Sequence, residues 1–393
     1  MEPLGYSTNL HPAESVADLC ATLTDFAGTA RQRLGWERLG VDLRLGSQAI
    51  QECAAPEALA QVRETLDRQH LSAHTLNGFP LGHFQAAVVK QSAYTPDWTD
   101  PARLGDTIRL INIALALSDA PVVTISTVPG SYRPFGAGHN DPARIAAALG
   151  QWCAAAARAH RDGNRTVILA LEPEPWCFLE NTADVLAFWR GALAEAGVAA
   201  CAEALDGDRA AAIQAVRRHL GICWDTCHFS LAFADQAAAV AQLRDAQIPI
   251  AKVQVSAAPE VHHPRTDIDG IAALRALAEP RFLHQTAARS AAGSVVKVED
   301  LDQLDALLAR LPHAQTVRSH FHVPIFREPQ ESGLSSTIAD SLAGLRACLH
   351  QHNPHVAVET YTWSILGPSA GDPLAGTVRE LAFLRGAVDG LRC

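Results

Sequence analysis

The sequence predicts an α/β fold, a (β/α)₈ barrel of eight parallel strands that alternate with helices. The first observation is a series of short segments rich in Val, Ile and Leu, such as VILAL and LGICW. Segments of this kind are typical of strands that are buried on both faces. The second observation is that alanine-rich stretches with helical periodicity separate them. Eight strands fit a closed barrel better than a sandwich, and an open doubly wound sheet is the structural alternative.

Each predicted strand is a short apolar segment. In chain order the strands are Gly5–Asn9, Gly40–Leu45, Leu71–Leu76, Val122–Thr127, Val167–Leu171, Leu220–Trp224, Ile250–Ser256 and Val356–Thr360. Helical patterns lie between the earlier strands, at Ser15–Leu34, Glu57–Gln69, Asp100–Leu117 and Pro142–Ala159. Two of these helices have a defined start, because Asp100 and Asp141 each provide a capping carboxylate directly before a proline at the first helical position.

One connection between predicted strands is abnormally long. About 100 residues separate Gln254, in the seventh strand, from Glu359, in the eighth, whereas an ordinary βα unit needs about 30. The excess predicts an insertion at approximately residues 257–355, within a single domain that covers residues 1–393. The insertion contains two further strand-like segments, RFLHQTAAR and TVRSHFHVPIF.

Composition and charge argue against several classes of protein. The chain has 393 residues, of which 48% are hydrophobic and 19% are charged, and this balance fits a globular enzyme. No apolar stretch reaches the roughly 18 residues that span a membrane, so we expect no membrane insertion and no leader peptide. The net charge of −10 argues against a nucleic-acid partner. Nine cysteines without a CxxC pair indicate neither a disulfide framework nor a zinc ribbon, and favour a cytoplasmic protein.

Three acidic residues stand in the same position relative to predicted strands. Glu172 ends the segment VILALE, Asp225 ends LGICWD and Glu359 ends VAVE. A buried carboxylate is costly to desolvate without a partner, and the carboxyl ends of barrel strands form the active site. The three acids therefore predict one site with a divalent cation. Hard oxygen ligands with an occasional imidazole suit Mg²⁺ or Mn²⁺, with Zn²⁺ or Fe²⁺ as alternatives.

Further polar residues near the predicted strand ends and in the insertion are candidates for contact with substrate. We predict substrate binding by His74, Asn77, Glu174, His228 and His322. Asp225 and His228 face the same side if a helix begins between them, and the alternative is an ordinary helix cap beside an unrelated histidine. His320 and His322 are two apart, so they project from one face of an extended chain, as a metal-binding edge, a substrate clamp or a solvent-facing pair.

The chain resembles the xylose isomerase-like TIM-barrel superfamily, which includes sugar isomerases, ketose epimerases and the apurinic endonuclease IV family. Within it, the chain is most similar to the metabolite-traffic protein EboE family. The segments that carry the resemblance cover nearly the whole chain: GYSTNLHP, HTLNGFPLGHF, YTPDWTDPARL, LALEPEP, LGICWDTCHFS, KVQVSAAPE, RFLHQT, SHFHVPIF and VETYTW.

The resemblance implies a divalent cation held by Glu on strand five, Asp on strand six, His on strand seven and Glu on strand eight. The corresponding residues here are Glu172, Asp225, Gln254 and Glu359. The departure is Gln254, because an amide oxygen brings no charge and binds softer metals less well than imidazole does. Either Gln254 is a neutral ligand or a histidine of the insertion replaces the missing one. The candidate histidines are His284, His320 and His322.

The resemblance also implies a function. It is that of a metal-dependent isomerase or epimerase, in which Glu172 and Glu359 transfer protons to and from a metal-bound hydroxycarbonyl compound. The substrate would be a small polyhydroxylated or cyclitol-like metabolite, and EboE-type proteins are linked to the processing or export of such compounds. One alternative is a noncatalytic metabolite-binding protein on the same scaffold, which Gln254 supports. Another is a phosphodiester hydrolase of the endonuclease IV type, which the acidic charge disfavours.

Overall fold

Eight parallel strands close into a barrel in the structure, a computed structural model that describes residues 4–326, 334–366 and 371–390. The described residues form thirteen strands in all: β1 (Gly5–Ser7), β2 (Leu39–Arg44), β3 (Leu71–Asn77), β4 (Val122–Thr127), β5 (Thr166–Leu171), β6 (Leu220–Asp225), β7 (Ile250–Val255), β8 (Pro259–His262), β9 (Thr286–Ser290), β10 (Val295–Val298), β11 (Ala314–Ser319), β12 (Ser335–Ser336) and β13 (His355–Val358). The barrel order is β1-β13-β7-β6-β5-β4-β3-β2. The predicted barrel is therefore confirmed.

Helices lie between the barrel strands, within the insertion and after the last strand. They are α1 (Val16–Ala21), α2 (Thr29–Leu34), α3 (Ser47–Glu52), α4 (Pro56–Arg68), α5 (Pro101–Leu117), α6 (Pro142–Gly163), α7 (Thr182–Arg190), α8 (Val198–Ala204), α9 (Arg209–His219), α10 (Thr226–Leu231), α11 (Gln236–Asp245), α12 (Ile268–Ala276), α13 (Leu304–Arg310), α14 (Ile338–Gln351) and α15 (Pro373–Gly390). The predicted caps are present, because the side chain of Asp100 accepts from the Ala102 N–H and that of Asp141 accepts from the N–H groups of Ala143 and Arg144.

The strand ends place the predicted acids at one edge of the barrel. Glu172 directly follows β5, Asp225 is the last residue of β6, and Glu359 directly follows β13. The first strand is shorter than predicted, because the chain turns into a 3₁₀ helix at Thr8–Leu10. The carboxyl ends of the parallel strands meet at the same edge, so residues that are far apart in sequence become neighbours there.

The insertion between β7 and β13 folds into an antiparallel sheet with the strand order β10-β9-β11-β8-β12. This sheet has an apolar cluster of its own, which includes Val261, Leu274, Ala288, Leu304 and Val317. The two strand-like segments predicted here correspond to β9 and β11. The sequence did not predict β8, β10 and β12, because strands of two to four residues are too short to show a periodic pattern.

Polar contacts hold the insertion against the loops that follow β3 and β5. Lys90 Nζ lies 2.6 Å from Asp300 Oδ2. Trp176 donates its indole N–H to the carbonyl oxygen of Val298, at 3.2 Å. Because these loops follow the carboxyl ends of their strands, the insertion lies at the edge of the barrel that carries the acids.

Among the described residues, no single helix is long and apolar enough to cross a membrane. The helices Thr182–Arg190 and Leu193–Ala204, bent by 44° at their junction, meet the requirement as a pair by length and composition only.

Candidate functional site

A cavity lies at the carboxyl ends of the barrel strands. Carboxylates, amides and imidazoles form part of its wall. Another part is aromatic and consists of Phe84, Phe282 and Tyr361, whose ring centroids lie 4.9 to 5.3 Å apart. Phe282 belongs to the insertion, so the barrel and the insertion build the cavity together.

Two histidines in the cavity wall are fixed by backbone carbonyl groups. His228 Nδ1 lies 3.0 Å from the carbonyl oxygen of Pro173, and His322 Nδ1 lies 2.8 Å from that of Glu359. A carbonyl oxygen only accepts hydrogen bonds, so each Nδ1 must carry the hydrogen. In the neutral ring the other nitrogen, Nε2, then has a free lone pair. Both side chains therefore present a bare Nε2 to the cavity.

A third histidine, His320, is fixed by a side-chain amide. His320 Nδ1 lies 2.6 Å from Gln285 Oε1. The amide nitrogen of Gln285 lies 2.7 Å from the Tyr94 hydroxyl and 3.4 Å from the carbonyl oxygen of Pro175. The Pro175 oxygen only accepts hydrogen bonds, so the NH₂ group of Gln285 faces Pro175 and Tyr94, and its amide oxygen faces His320. His320 thus also carries its hydrogen on Nδ1 and has a free lone pair on Nε2.

The three imidazoles converge on one point. His320 Nε2 lies 3.1 Å from His228 Nε2 and 3.1 Å from His322 Nε2. In the tautomers that their other partners require, none of these nitrogens has a hydrogen to donate. Three lone pairs that face one another repel unless a positive charge lies among them. Nitrogen ligands about 2.0–2.1 Å from a metal are about 2.9 to 3.4 Å apart, and both distances from His320 fit this range.

Two acids beside the histidines have a free oxygen atom. Asp225 is the N-cap of α10, and its Oδ1 accepts from the N–H groups of Cys227 and His228. The other oxygen, Asp225 Oδ2, is buried with no hydrogen-bond partner among the described residues, and the same is true of Glu172 Oε2. Glu172, Asp225 and His228 each offer an atom within 4.8 Å of the others. Asp225 is therefore both a helix cap and part of the cluster.

Gln254 joins two of the acids. Its amide nitrogen donates to Glu172 Oε1 at 3.2 Å and to Glu359 Oε2. Its amide oxygen accepts from the Cys223 thiol at 2.8 Å. In this arrangement Gln254 is a hydrogen-bond donor between the two glutamates, and its oxygen is engaged by the Cys223 thiol.

Glu359 is held by several further donors. Its Oε1 accepts from the Ser7 hydroxyl at 3.1 Å, from the Asn9 amide at 2.9 Å and from the Asn77 amide at 3.2 Å. Both of its oxygens are thus occupied. Glu359 and Glu172 are inequivalent, because only Glu172 keeps an oxygen without a partner.

Comparison with known proteins supports the assignment of the fold to a family. Residues 40–284, more than half of the chain, match the sequence pattern of the family described as xylose isomerase-like TIM barrel. The chain belongs to this family. No curated protein matches the chain.

A solved structure of a xylose isomerase-like TIM barrel protein shares the fold. A xylose isomerase-like TIM barrel protein from Mycobacterium smegmatis, in complex with magnesium, is 11% identical with a TM-score of 0.54, over 100% of this chain and 98% of that one. A xylose isomerase domain protein from Alicyclobacillus acidocaldarius is 15% identical with a TM-score of 0.44, over 99% and 97%. An IolI protein with a bound zinc atom is 10% identical with a TM-score of 0.46, over 99% and 97%. At 11% identity, the likeness to the Mycobacterium smegmatis protein shows the fold alone.

Burial shifts the pKa values of the acids in this xylose isomerase-like barrel. Desolvation raises the pKa of Glu172, and the nearby charge of Glu359 raises it further. Desolvation likewise raises the pKa of Asp225, and it raises that of Glu359 together with the charge of Asp225. For Glu174, burial raises the pKa to about 8. Without a cation, these carboxyl groups hold protons at a higher pH than ordinary acids do.

Burial has the opposite effect on the imidazoles. Desolvation lowers the pKa of His228, and the neighbouring His322 lowers it further. It also lowers the pKa of His320 and of His322. The three rings are thus neutral near pH 7, which is the form that binds metals.

The donor set of this xylose isomerase-like barrel fits a divalent cation. Three neutral imidazoles present free Nε2 atoms, and two carboxylate oxygens beside them have no hydrogen-bond partner among the described residues. Each imidazole also has the acceptor behind Nδ1 that is usual for metal-binding histidines. Nitrogen-rich sites suit zinc, iron and other transition metals better than magnesium.

The structure brings most of the predicted site residues together. Those that line the cavity are Asn77, Glu172, Glu174, His228, His320, His322 and Glu359. His74 and His284 lie elsewhere. The ring of His74 packs 4.7 Å from that of His355 in the barrel interior, with no hydrogen-bond partner among the described residues. Both nitrogens of His284 are engaged, Nδ1 with the His320 carbonyl and Nε2 with Glu279. The individual roles of the predicted residues stay predictions.

Sequence reasoning missed two side chains that shape the site, Tyr94 and Gln285. Tyr94 is buried, lines the cavity and donates its hydroxyl hydrogen to Glu174 Oε1 at 2.7 Å. Gln285 follows His284 directly and fixes His320. The only sequence signals were the position of Tyr94 in the segment YTPDW and the position of Gln285 beside a candidate histidine.

Proposed function

We propose that the protein is a divalent-metal-dependent isomerase or epimerase of the EboE type, which acts on a small polyhydroxylated or cyclitol-like carbonyl compound. The observation that carries the proposal is the convergence of three bare Nε2 atoms beside buried acids with raised pKa values. Family membership supports it, because the xylose isomerase-like superfamily includes sugar isomerases and epimerases.

His228, His320 and His322 would hold the cation, with Glu172 Oε2 and Asp225 Oδ2 as further ligands. When bound, a divalent cation polarises a substrate carbonyl group and stabilises negative charge on its oxygen. The protein's own part is to keep the three imidazoles neutral and oriented. The acceptors behind each Nδ1 achieve this.

Glu172 and Glu359 would transfer the protons. They flank the amide nitrogen of Gln254, which donates to both of them. In the ionised state, one carboxylate takes a proton from the carbon next to the carbonyl group. The other, as the neutral acid, returns a proton to the carbon skeleton. Burial raises the pKa of both groups in the metal-free protein. Carboxyl groups that share a site can have separated pKa values, which permits opposite roles.

The cavity wall is suited to a hydroxylated substrate. The amides of Asn9 and Asn77 point at Glu359 and lie in the wall, where amide groups can also bind hydroxyl groups of a substrate. The aromatic part, formed by Phe84, Phe282 and Tyr361, can pack against the apolar face of a ring. We further expect a cytoplasmic location.

A second candidate is a noncatalytic metabolite-binding protein on the same scaffold. The observation that favours it is Gln254, whose amide occupies one oxygen of each glutamate. Such a protein would bind metal and ligand without proton exchange. Solvent deuterium uptake separates the two candidates.

The first experiment measures the metal content of the purified protein by elemental analysis. Wild type is compared with His320→Gln, which removes one converging nitrogen, and with His313→Gln, which alters an exposed histidine of the insertion. We expect a stoichiometric transition metal in wild type and in His313→Gln, and loss of the metal in His320→Gln.

The second experiment follows solvent deuterium uptake into a panel of ketoses and cyclitol ketones by proton NMR. We expect exchange at the carbon next to the carbonyl group with wild type, and none with Glu172→Gln. Metal binding without exchange across the panel would favour the noncatalytic candidate. Absence of both metal and exchange would refute the proposal.

A further inference from the structure

We propose that Gln285, a residue of the insertion, is a positioning residue that holds His320 in the tautomer required for cation binding. This inference rests on the proposed function, because it concerns the same cluster of histidines. Gln285 is buried, with 1% of its surface exposed. Its Oε1 lies 2.6 Å from His320 Nδ1, the shortest of the contacts that hold the Nδ1 atoms of the three converging histidines.

The orientation of the Gln285 amide follows from its neighbours. The carbonyl oxygen of Pro175, 3.4 Å from the amide nitrogen, accepts but never donates. The Tyr94 hydroxyl gives its hydrogen to Glu174 and can therefore accept from Gln285. Both neighbours require the NH₂ group on their side, which leaves the amide oxygen facing His320. His320 Nδ1 must then carry the hydrogen.

These contacts form a directional chain of hydrogen bonds. His320 Nδ1 donates to Gln285, Gln285 donates to the Tyr94 hydroxyl at 2.7 Å, and Tyr94 donates to Glu174 at 2.7 Å. The chain links a proposed cation ligand to a second acid in the cavity wall. Gln285 and His320 both belong to the insertion, so the insertion supplies a proposed cation ligand together with the acceptor that orients it.

The adjacent residue in sequence supports the same ring from its backbone. His284 Nδ1 lies 2.8 Å from the carbonyl oxygen of His320, and His284 Nε2 lies 2.9 Å from Glu279 Oε1. Two consecutive residues of the insertion thus hold His320, one through its backbone and one through its ring. This explains why His284 lies outside the cluster although it is next to it.

Loss of the Gln285 oxygen would change where His320 keeps its hydrogen. Without an acceptor at Nδ1, the favoured tautomer carries the hydrogen on Nε2. That hydrogen can be donated to the lone pair of His228 or His322, each 3.1 Å away. It would then occupy the space in which a cation binds. Changes to such supporting residues typically weaken metal binding by about 10- to 100-fold.

The test compares Gln285→Met, which keeps the side-chain length but has no amide, with Gln285→Glu, which keeps an acceptor for His320. Gln315→Met is the matched control, because Gln315 is an exposed glutamine of the same sheet. The first measurement is the ring ¹⁵N chemical shift of His320 in metal-free protein, assigned by its disappearance in His320→Gln. The second is the Co²⁺ dissociation constant. Circular dichroism checks that each variant is folded.

We expect the Nδ1–H tautomer of His320 in wild type, in Gln285→Glu and in Gln315→Met, and the Nε2–H tautomer in Gln285→Met. We expect Co²⁺ binding to be about 10- to 100-fold weaker in Gln285→Met only. The Nε2–H tautomer in wild type would overturn the inference, whether or not any variant folds. An Nδ1–H tautomer that persists in Gln285→Met would overturn it as well.

The same measurements separate this inference from the proposed function. If wild type shows the Nδ1–H tautomer, and Gln285→Met loses it, the positioning role stands even if Co²⁺ does not bind. Failure of Co²⁺ to bind wild type would then count against the metal-dependent function alone.

Discussion

The buried carboxyl group of Glu174 makes the stability of the metal-free protein depend on pH, and Glu174→Gln should remove a measurable part of that dependence. Glu174 is 6% exposed. Burial raises its pKa from 4.5 to about 8, although the hydrogen bond from Tyr94 acts in the opposite direction. The amide of glutamine has the same shape and can still accept from Tyr94, so the substitution removes the titration and leaves the packing in place.

The sign of the effect follows from proton binding. Between pH 4.5 and 8 the folded state keeps the Glu174 proton and the unfolded chain has lost it. The free energy of unfolding therefore falls as pH rises through this window. Buried neutral histidines act in the opposite direction until the histidines of the unfolded chain have lost their protons, and wild type and Glu174→Gln share this contribution. From pH 6.5 to 8.0, Glu174 alone should lower the free energy of unfolding by about 1.6 kcal/mol.

The assay is urea unfolding at pH 6.5 and 8.0 in the presence of a chelator. Between the two pH values, the free energy of unfolding of wild type should fall by about 1.6 kcal/mol more than that of Glu174→Gln. Glu203→Gln, which alters an exposed acid, is the control and should behave like wild type. Equal losses in wild type and Glu174→Gln would refute the reasoning, because the buried carboxyl group would then not be protonated at pH 6.5.

Further substitutions test a buried ion pair and two helix glycines. Lys252→Met should lower the free energy of unfolding, measured in urea, by about 3–5 kcal/mol, because it leaves the charge of Asp42, 2.8 Å from Lys252 Nζ, buried without its partner. The double variant Lys252→Met/Asp42→Leu should recover most of this loss, and no recovery would contradict the explanation. Gly150→Ala should lower the free energy of unfolding by about 1–3 kcal/mol, because its methyl group would meet the Gly197 carbonyl oxygen. Gly386→Ala, at a helix position with open space around it, should raise the free energy of unfolding by about 0.5–1 kcal/mol. Thermal unfolding of both variants measures the contrast, and a lower stability of Gly386→Ala would contradict it.

The barrel could be predicted from sequence because its strands are buried on both faces and leave continuous apolar segments. The insertion was predicted only as excess length with two strand-like segments. Its strand Pro259–His262 contains the charged residue Glu260, whose partner in the sheet is Arg318, 58 residues away. Pairing between short strands depends on such distant partners, which a local pattern does not contain.

The same distinction applies to the candidate site. Glu172, Asp225 and Glu359 were predicted as neighbours because carboxyl ends of parallel strands always meet at one edge. The meeting of His320 and His322 was also predicted, since two residues of an extended chain separated by one project together. The role of Gln285 was not predicted, because it depends on a contact with Tyr94, 191 residues away in the chain.

The place of the insertion just before the last barrel strand has a consequence for synthesis on the ribosome. The final strand, His355–Val358, pairs with both the first strand and the seventh, so both have unpaired edges until it emerges. At about 5–20 residues per second, the roughly 100 residues of the insertion prolong this period by about 5 to 20 s. Unpaired edges invite pairing with other chains. We expect the nascent chain to need protection by a chaperone during this interval, and a shortened insertion to reduce that need.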